Sequence, residues 1–179
     1  RLTEECRGVS WEIGIARLFT ASCLTYLGRF EELRACSDAW LDDARRRGDR
    51  YASTNMVLHE STTLLAIASG DVDAGRAAFE EACEAWAIAP GTSQDFYRHL
   101  LPSYFDLYAG DPRAARDRLR AYYPAFKRSP FGQVRAQDCQ LRFVRALAEL
   151  ASGTPGEARS DERFLARSGL PFGLVTSAM

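Results

Sequence analysis

Residues 108–115 read YAGDPRAA: a helix-length apolar run stops at Gly110, and a new helix starts at once on Pro112. Glycine opens the turn, and proline sits in the first helical turn, where its missing N–H is not needed. Three further stretches follow the same plan, YLGRFEEL at 26–33, ASGDVDAG at 68–75 and ASGTPGEA at 151–158. Their glycines, Gly28, Gly70, Gly110 and Gly153, stand 42, 40 and 43 residues apart. Self-similarity at about 40 residues, with one glycine-centred turn per unit, is the mark of an α-helical solenoid, in which no unit buries its apolar face alone. The pattern predicts an all-α superhelix of about four helical hairpins.

The boundaries follow from helical periodicity and breaker residues. The first unit, about 9–49, runs from an expected cap at Ser10 through Trp11, Ile15, Leu18 and Phe19 to Gly28. Its partner helix spans Phe30 to Arg47. The second, about 50–91, pairs Tyr51–Ser69 with Val72–Ala89 and ends at Pro90-Gly91. The third, about 92–132, pairs Gln94–Ala109 with a helix from Pro112 that the internal Pro124 is expected to kink or end. The fourth, about 133–169, pairs Val134–Ser152 with a more polar helix reaching Ser168, and 170–179 reads as the start of a further helix. Residues 1–179 thus read as one helical-repeat domain. Trp11, Leu33, Trp40, Phe79, Trp86, Leu119 and Phe126 are its expected core. Arg1 in place of an initiating methionine, and helix-like ends on both sides, predict a piece of a larger protein.

Composition narrows the function classes. A net charge of −1 over 179 residues gives no general attraction to nucleic acid or to a membrane surface. The charge is uneven: residues 1–97 carry a balance of −6 and residues 98–179 one of +5, which favours docking between units over a continuous basic stripe. Lys127 is the only lysine among 23 basic side chains, a bias typical of GC-rich bacterial genomes. The five cysteines, Cys6, Cys23, Cys36, Cys83 and Cys139, form no C-x-x-C pair and read as small buried apolar residues of a reducing, cytoplasmic setting. No residue pattern calls for a metal or a cofactor. Asp71 and Asp73 lack the remaining spacing of a calcium loop.

Aligned on the turn glycines, the second helices carry Leu33, Gly75, Ala115 and Ala158 five places on, and Trp40, Ala82, Tyr122 and Leu165 twelve places on. Small residues at a close approach and larger ones interdigitating resemble the packing of tetratricopeptide repeats, with a longer period here than the 34 residues of that family. The stretch CRGVSWEIGIARLFTASCLTYLGRFEELRACSDAWLDDARRRGDRYA, residues 6–52, is more specific. It resembles the C-terminal helical-repeat region of large bacterial serine/threonine protein kinases that also carry a signal-transduction ATPase domain; S-W-E, Y-L-G and R-G-D-R-Y-A are its most telling pieces. The resemblance implies a regulatory or sensing region. It implies no catalysis in this segment, since the Gly-rich loop, V-A-I-K lysine, H-R-D loop and D-F-G of a kinase domain are missing from it.

The candidate site comes from one alignment. Eleven residues before the turn glycines stand Arg17, His59, His99 and Arg142, and four residues earlier Ile13, Asn55, Asp95 and Asp138. If the first helices line a concave surface, Arg17, Asn55, His59, Asp95, His99, Asp138 and Arg142 form a ladder suited to an acidic peptide or a carboxylate-bearing ligand. The plainer expectation is a set of i,i+4 surface pairs, Asp95 with His99 and Asp138 with Arg142. The function expected is a protein-interaction or regulatory scaffold without nucleic-acid or membrane partners; the alternative is a small-ligand sensor whose groove regulates attached domains.

Overall fold

The computed structural model describes residues 8–156 and 158–170. Among them the chain is all-α, with nine α-helices, one 3-10 turn and no strand. It divides into two compact units, Arg1–Ala87 and Ile88–Met179.

The first unit contains α1 (Ser10–Tyr26), α2 (Phe30–Arg46), α3 (Arg50–Val57), α4 (Glu60–Ala68) and α5 (Val72–Ala85). α1 packs on α2, and α4 packs back on both. Ala21, Leu24, Leu33 and Leu65 form the buried centre, with Phe30, Cys36 and Trp40 against it. The second unit contains α6 (Ser93–Tyr108), α7 (Pro112–Arg128), a 3-10 turn (Phe131–Gln133), α8 (Arg135–Ala151) and α9 (Ala158–Ala166). Its core is larger and more aromatic: Phe96, Leu100, Leu119, Tyr122, Phe126, Leu141 and Val144.

The turn glycines behave alike. Gly28, Gly70, Gly110 and Gly153 all have φ between +69° and +78°, a region that costs an L side chain about 1 kcal/mol or more. At each of them the residue after the glycine donates to a carbonyl of the last helical turn, as Arg29 N–H does to Leu24 O at 2.9 Å and Thr154 N–H to Glu149 O at 3.0 Å. These bonds satisfy carbonyls that the ending helix leaves open.

Several local expectations are corrected. Residues 51–69 do not form one helix: Leu58 leaves the helical region, His59 is extended, and its Nδ1 caps α4 by accepting from Ser61 N–H at 3.3 Å. Thr62 Oγ1 bonds back to Met56 O across the break at 2.6 Å, so the β-branched, hydroxyl-rich stretch finds local partners that compete with a continuous helix. α5 ends at Ala85, four residues early, because Trp86 swings into an extended conformation and packs edge-on against Tyr51, while Arg50 caps Ala85 O at 3.0 Å. Pro124 does not end α7, which runs on to Arg128. The proline and Arg120, the residue whose carbonyl a donor at position 124 would have bonded, are both exposed, and the buried Leu119, Tyr122 and Phe126 hold the helix to the core. Val9 rather than Ser10 is the N-cap of α1.

Of the expected core, Leu33, Phe79, Leu119 and Phe126 are buried and Trp40 and Trp86 half-buried, but Trp11 is 59% exposed. Cys23 is also exposed, against the expectation of a buried thiol, while Cys139 is buried. Residues 1–6 and most of 170–179, expected to be helical, lie outside the described residues, as does Cys6. No helix among the described residues is long and apolar enough to cross a membrane.

Candidate ligand-binding groove

In the first unit α1, α2 and α3 leave a cavity of about 210 Å³ between them. α1 supplies Trp11, Ile15 and Leu18 at helical spacing; α2 supplies Trp40 and Ala44, one turn apart; the start of α3 supplies Tyr51, Ala52, Asn55 and Met56. Gly14 and the two alanines make the space, because bulkier side chains at those positions would fill it. The polar groups around the rim already have partners. Asp49 Oδ1 accepts from Ala52 N–H at 2.9 Å and caps α3, and Asn55 Nδ2 donates to Tyr51 O at 2.8 Å. Tyr51 is held from behind by Trp86, with ring centroids 6.2 Å apart. The cavity therefore offers aromatic and aliphatic surface between fixed walls.

Arg17 closes one side. Its guanidinium lies 6.0 Å from the Trp40 ring and pairs with Asp43 at 2.8 Å, and Arg47 reaches the same carboxylate at 3.0 Å. The hydrogen bond from Arg17, helped by Arg47, holds the Asp43 carboxyl below the ordinary carboxylate range. Beyond Arg17 lies a second, polar hollow of about 280 Å³, lined by Gly8, Val9, Ser10, Ile13, Asp43 and Arg47. Arg47 also lies 3.8 Å from Asp49, so two guanidinium groups face two carboxylates and their charges balance. An apolar socket thus adjoins an ion-paired shelf, with Arg17 shared between them.

The ladder is not assembled as the alignment predicts. Arg17 and Asn55 meet at the socket, but His59, in the same unit, is buried at the break between α3 and α4, 8% exposed, and burial lowers its pKa to about 4. It is a neutral cap rather than a groove cation. In the second unit the residues act as internal ties. Asp95 is buried at the start of α6, accepting from Gly91 N–H at 2.9 Å and Arg98 Nη2 at 2.8 Å. His99 stands 3.6 Å from Asp95 and stacks on Tyr122 with ring centroids 4.1 Å apart; burial pushes its pKa down, against the pull of Asp95. Asp138 bonds Lys127 and Arg142, both at 2.9 Å, and Arg142 continues to Asp161 at 2.9 Å while covering the Phe164 ring at 4.0 Å. Both expected i,i+4 pairs are present.

Sequence reasoning passed over the socket aromatics because Trp11 and Trp40 read as core. One signal pointed the other way: α1 is apolar nearly all round, and such a helix needs more cover than one neighbouring hairpin provides. Comparison with family models, characterised proteins and solved structures returns no match.

Proposed function

We propose that this chain is a non-catalytic protein-interaction module, a regulatory scaffold in a larger bacterial signalling protein of the serine/threonine kinase type, acting in the cytoplasm. The observation that carries the interaction reading is the apolar aromatic socket on α1–α3, bordered by the ion pairs of Arg17 and Arg47 with Asp43. The partner this chemistry suits is a peptide segment that inserts one bulky apolar side chain between Trp11 and Trp40. The size of the socket favours this over a metabolite sensor: about 210 Å³ takes one side chain, whereas pockets that enclose a whole small molecule usually run to about 300–1,000 Å³. The link to a kinase polypeptide rests on the resemblance of residues 6–52 and on nothing in the geometry.

A direct test titrates the chain with short peptides carrying one tryptophan or leucine, followed by fluorescence anisotropy of a labelled peptide. Binding should weaken at least about tenfold in Trp40→Ala, the loss of an aromatic anchor costing about 2 kcal/mol. Binding that ignores both Trp11→Ala and Trp40→Ala removes the socket from the interaction. Co-purification of partners with the intact polypeptide, with and without residues 1–179, tests the scaffold role.

A further inference from the structure

α1 carries a second apolar surface, on the side away from its own hairpin. Ala16, Phe19, Cys23 and Tyr26 follow one another at i, i+3, i+7 and i+10, all exposed and none charged; Phe19 is 69% and Tyr26 67% exposed. The repeat itself shows what such a stripe is for. Counted back from the turn glycine, Phe19 and Cys23 correspond to Ser61 and Leu65 in the second repeat and to Val144 and Ala148 in the fourth. Those residues are 2%, 8%, 0% and 0% exposed. Within each unit the element that buries them is the preceding hairpin: α4 packs on α1 and α2, with Leu65 joining Leu24 and Leu33, and α8 packs on α6 and α7, with Val144 joining Leu100 and Leu119. Among the described residues the same register positions are buried in the other three repeats, as Leu101 and Phe105 in the third, and are open on α1.

We propose that the Ala16–Tyr26 stripe of α1 is the receiving face for a further helical hairpin of the same polypeptide, one that precedes the first repeat and is seated as α1–α2 seats before α4. A stacked repeat buries its apolar face only against its neighbours, so this stripe and that hairpin complete each other. The inference does not depend on the peptide socket, which α1 lines with Trp11, Gly14, Ile15 and Leu18 and not with the residues of the stripe.

Cys23 lies in the middle of the stripe and reports its cover. The rate of maleimide labelling, read peptide by peptide by mass spectrometry, is compared between the 179-residue chain and the polypeptide as the source cell makes it. The expected result is fast labelling of Cys23 in the former and labelling at least about tenfold slower in the latter. As a second reading, Phe19→Glu should leave the melting temperature of the 179-residue chain unchanged and lower that of the cellular polypeptide. Equal labelling rates in the two overturn the proposal. So does protection of Cys23 in the 179-residue chain that follows its self-association, which assigns the stripe to a second copy.

Discussion

Asp161 is the clearest single point on which the second unit can be tested. It is fully buried, and α9 is tied to α8 through it: Oδ2 accepts from Arg145 Nε at 2.7 Å, and Oδ1 from Arg145 Nη2 at 2.6 Å and Arg142 Nη1 at 2.9 Å. Arg145 is itself buried and lies 3.9 Å from the Tyr123 ring, so it cannot turn to solvent without losing that packing. Asp161→Ala leaves a buried guanidinium without its carboxylate, and breaking one side of such a pair costs about 3–5 kcal/mol. For a chain of this size that is a fall in melting temperature of roughly 6–20 °C. The assay is urea unfolding followed by far-UV circular dichroism, because all three tryptophans lie in residues 1–87 and report on the other unit. Arg145→Met with Asp161→Leu removes both members and should recover a large part of the loss, since exchanging a buried pair for apolar side chains is often near neutral. A loss under about 1 kcal/mol in Asp161→Ala refutes the reasoning, because the pair would then be no stronger than one in solvent.

Two further outcomes follow from buried features. A Cβ on Gly132 would lie 2.1 Å from the Phe126 carbonyl oxygen, and backbone cannot step aside as a side chain does; Gly132→Ala should destabilise by about 1–3 kcal/mol in the same urea assay. His59 has its pKa lowered to about 4 by burial, so below the unfolded value near 6.5 the unfolded chain binds a proton that the native chain refuses. Stability should be complete above about pH 6.5 and decline by up to about 3 kcal/mol as pH falls toward 4, and His59→Gln should flatten that part of the profile.

The hairpin arrangement was legible because it rests on local chemistry repeated four times. A glycine at positive φ ends a helix wherever it occurs, and Gly28, Gly70, Gly110 and Gly153 do so alike. Pro124 obeys the same local rules, yet they mislead there. The cost of proline's missing N–H is smaller at an exposed position, and the buried Leu119, Tyr122 and Phe126 outweigh it. The candidate site was harder to read for a related reason. Aligning Arg17, His59, His99 and Arg142 on their glycines assumes that each first helix continues unbroken to its turn. His59 breaks that assumption: it is extended, caps α4 and is buried at the break. Register thus transfers between repeats only as far as the backbone stays regular. That is also why the comparison of Phe19 and Cys23 with Val144 and Ala148 carries weight: α1 and α8 are both continuous over 17 residues up to their glycines, so equal spacing does mean equal faces. Among the described residues a preceding hairpin is packed against α8 and none against α1.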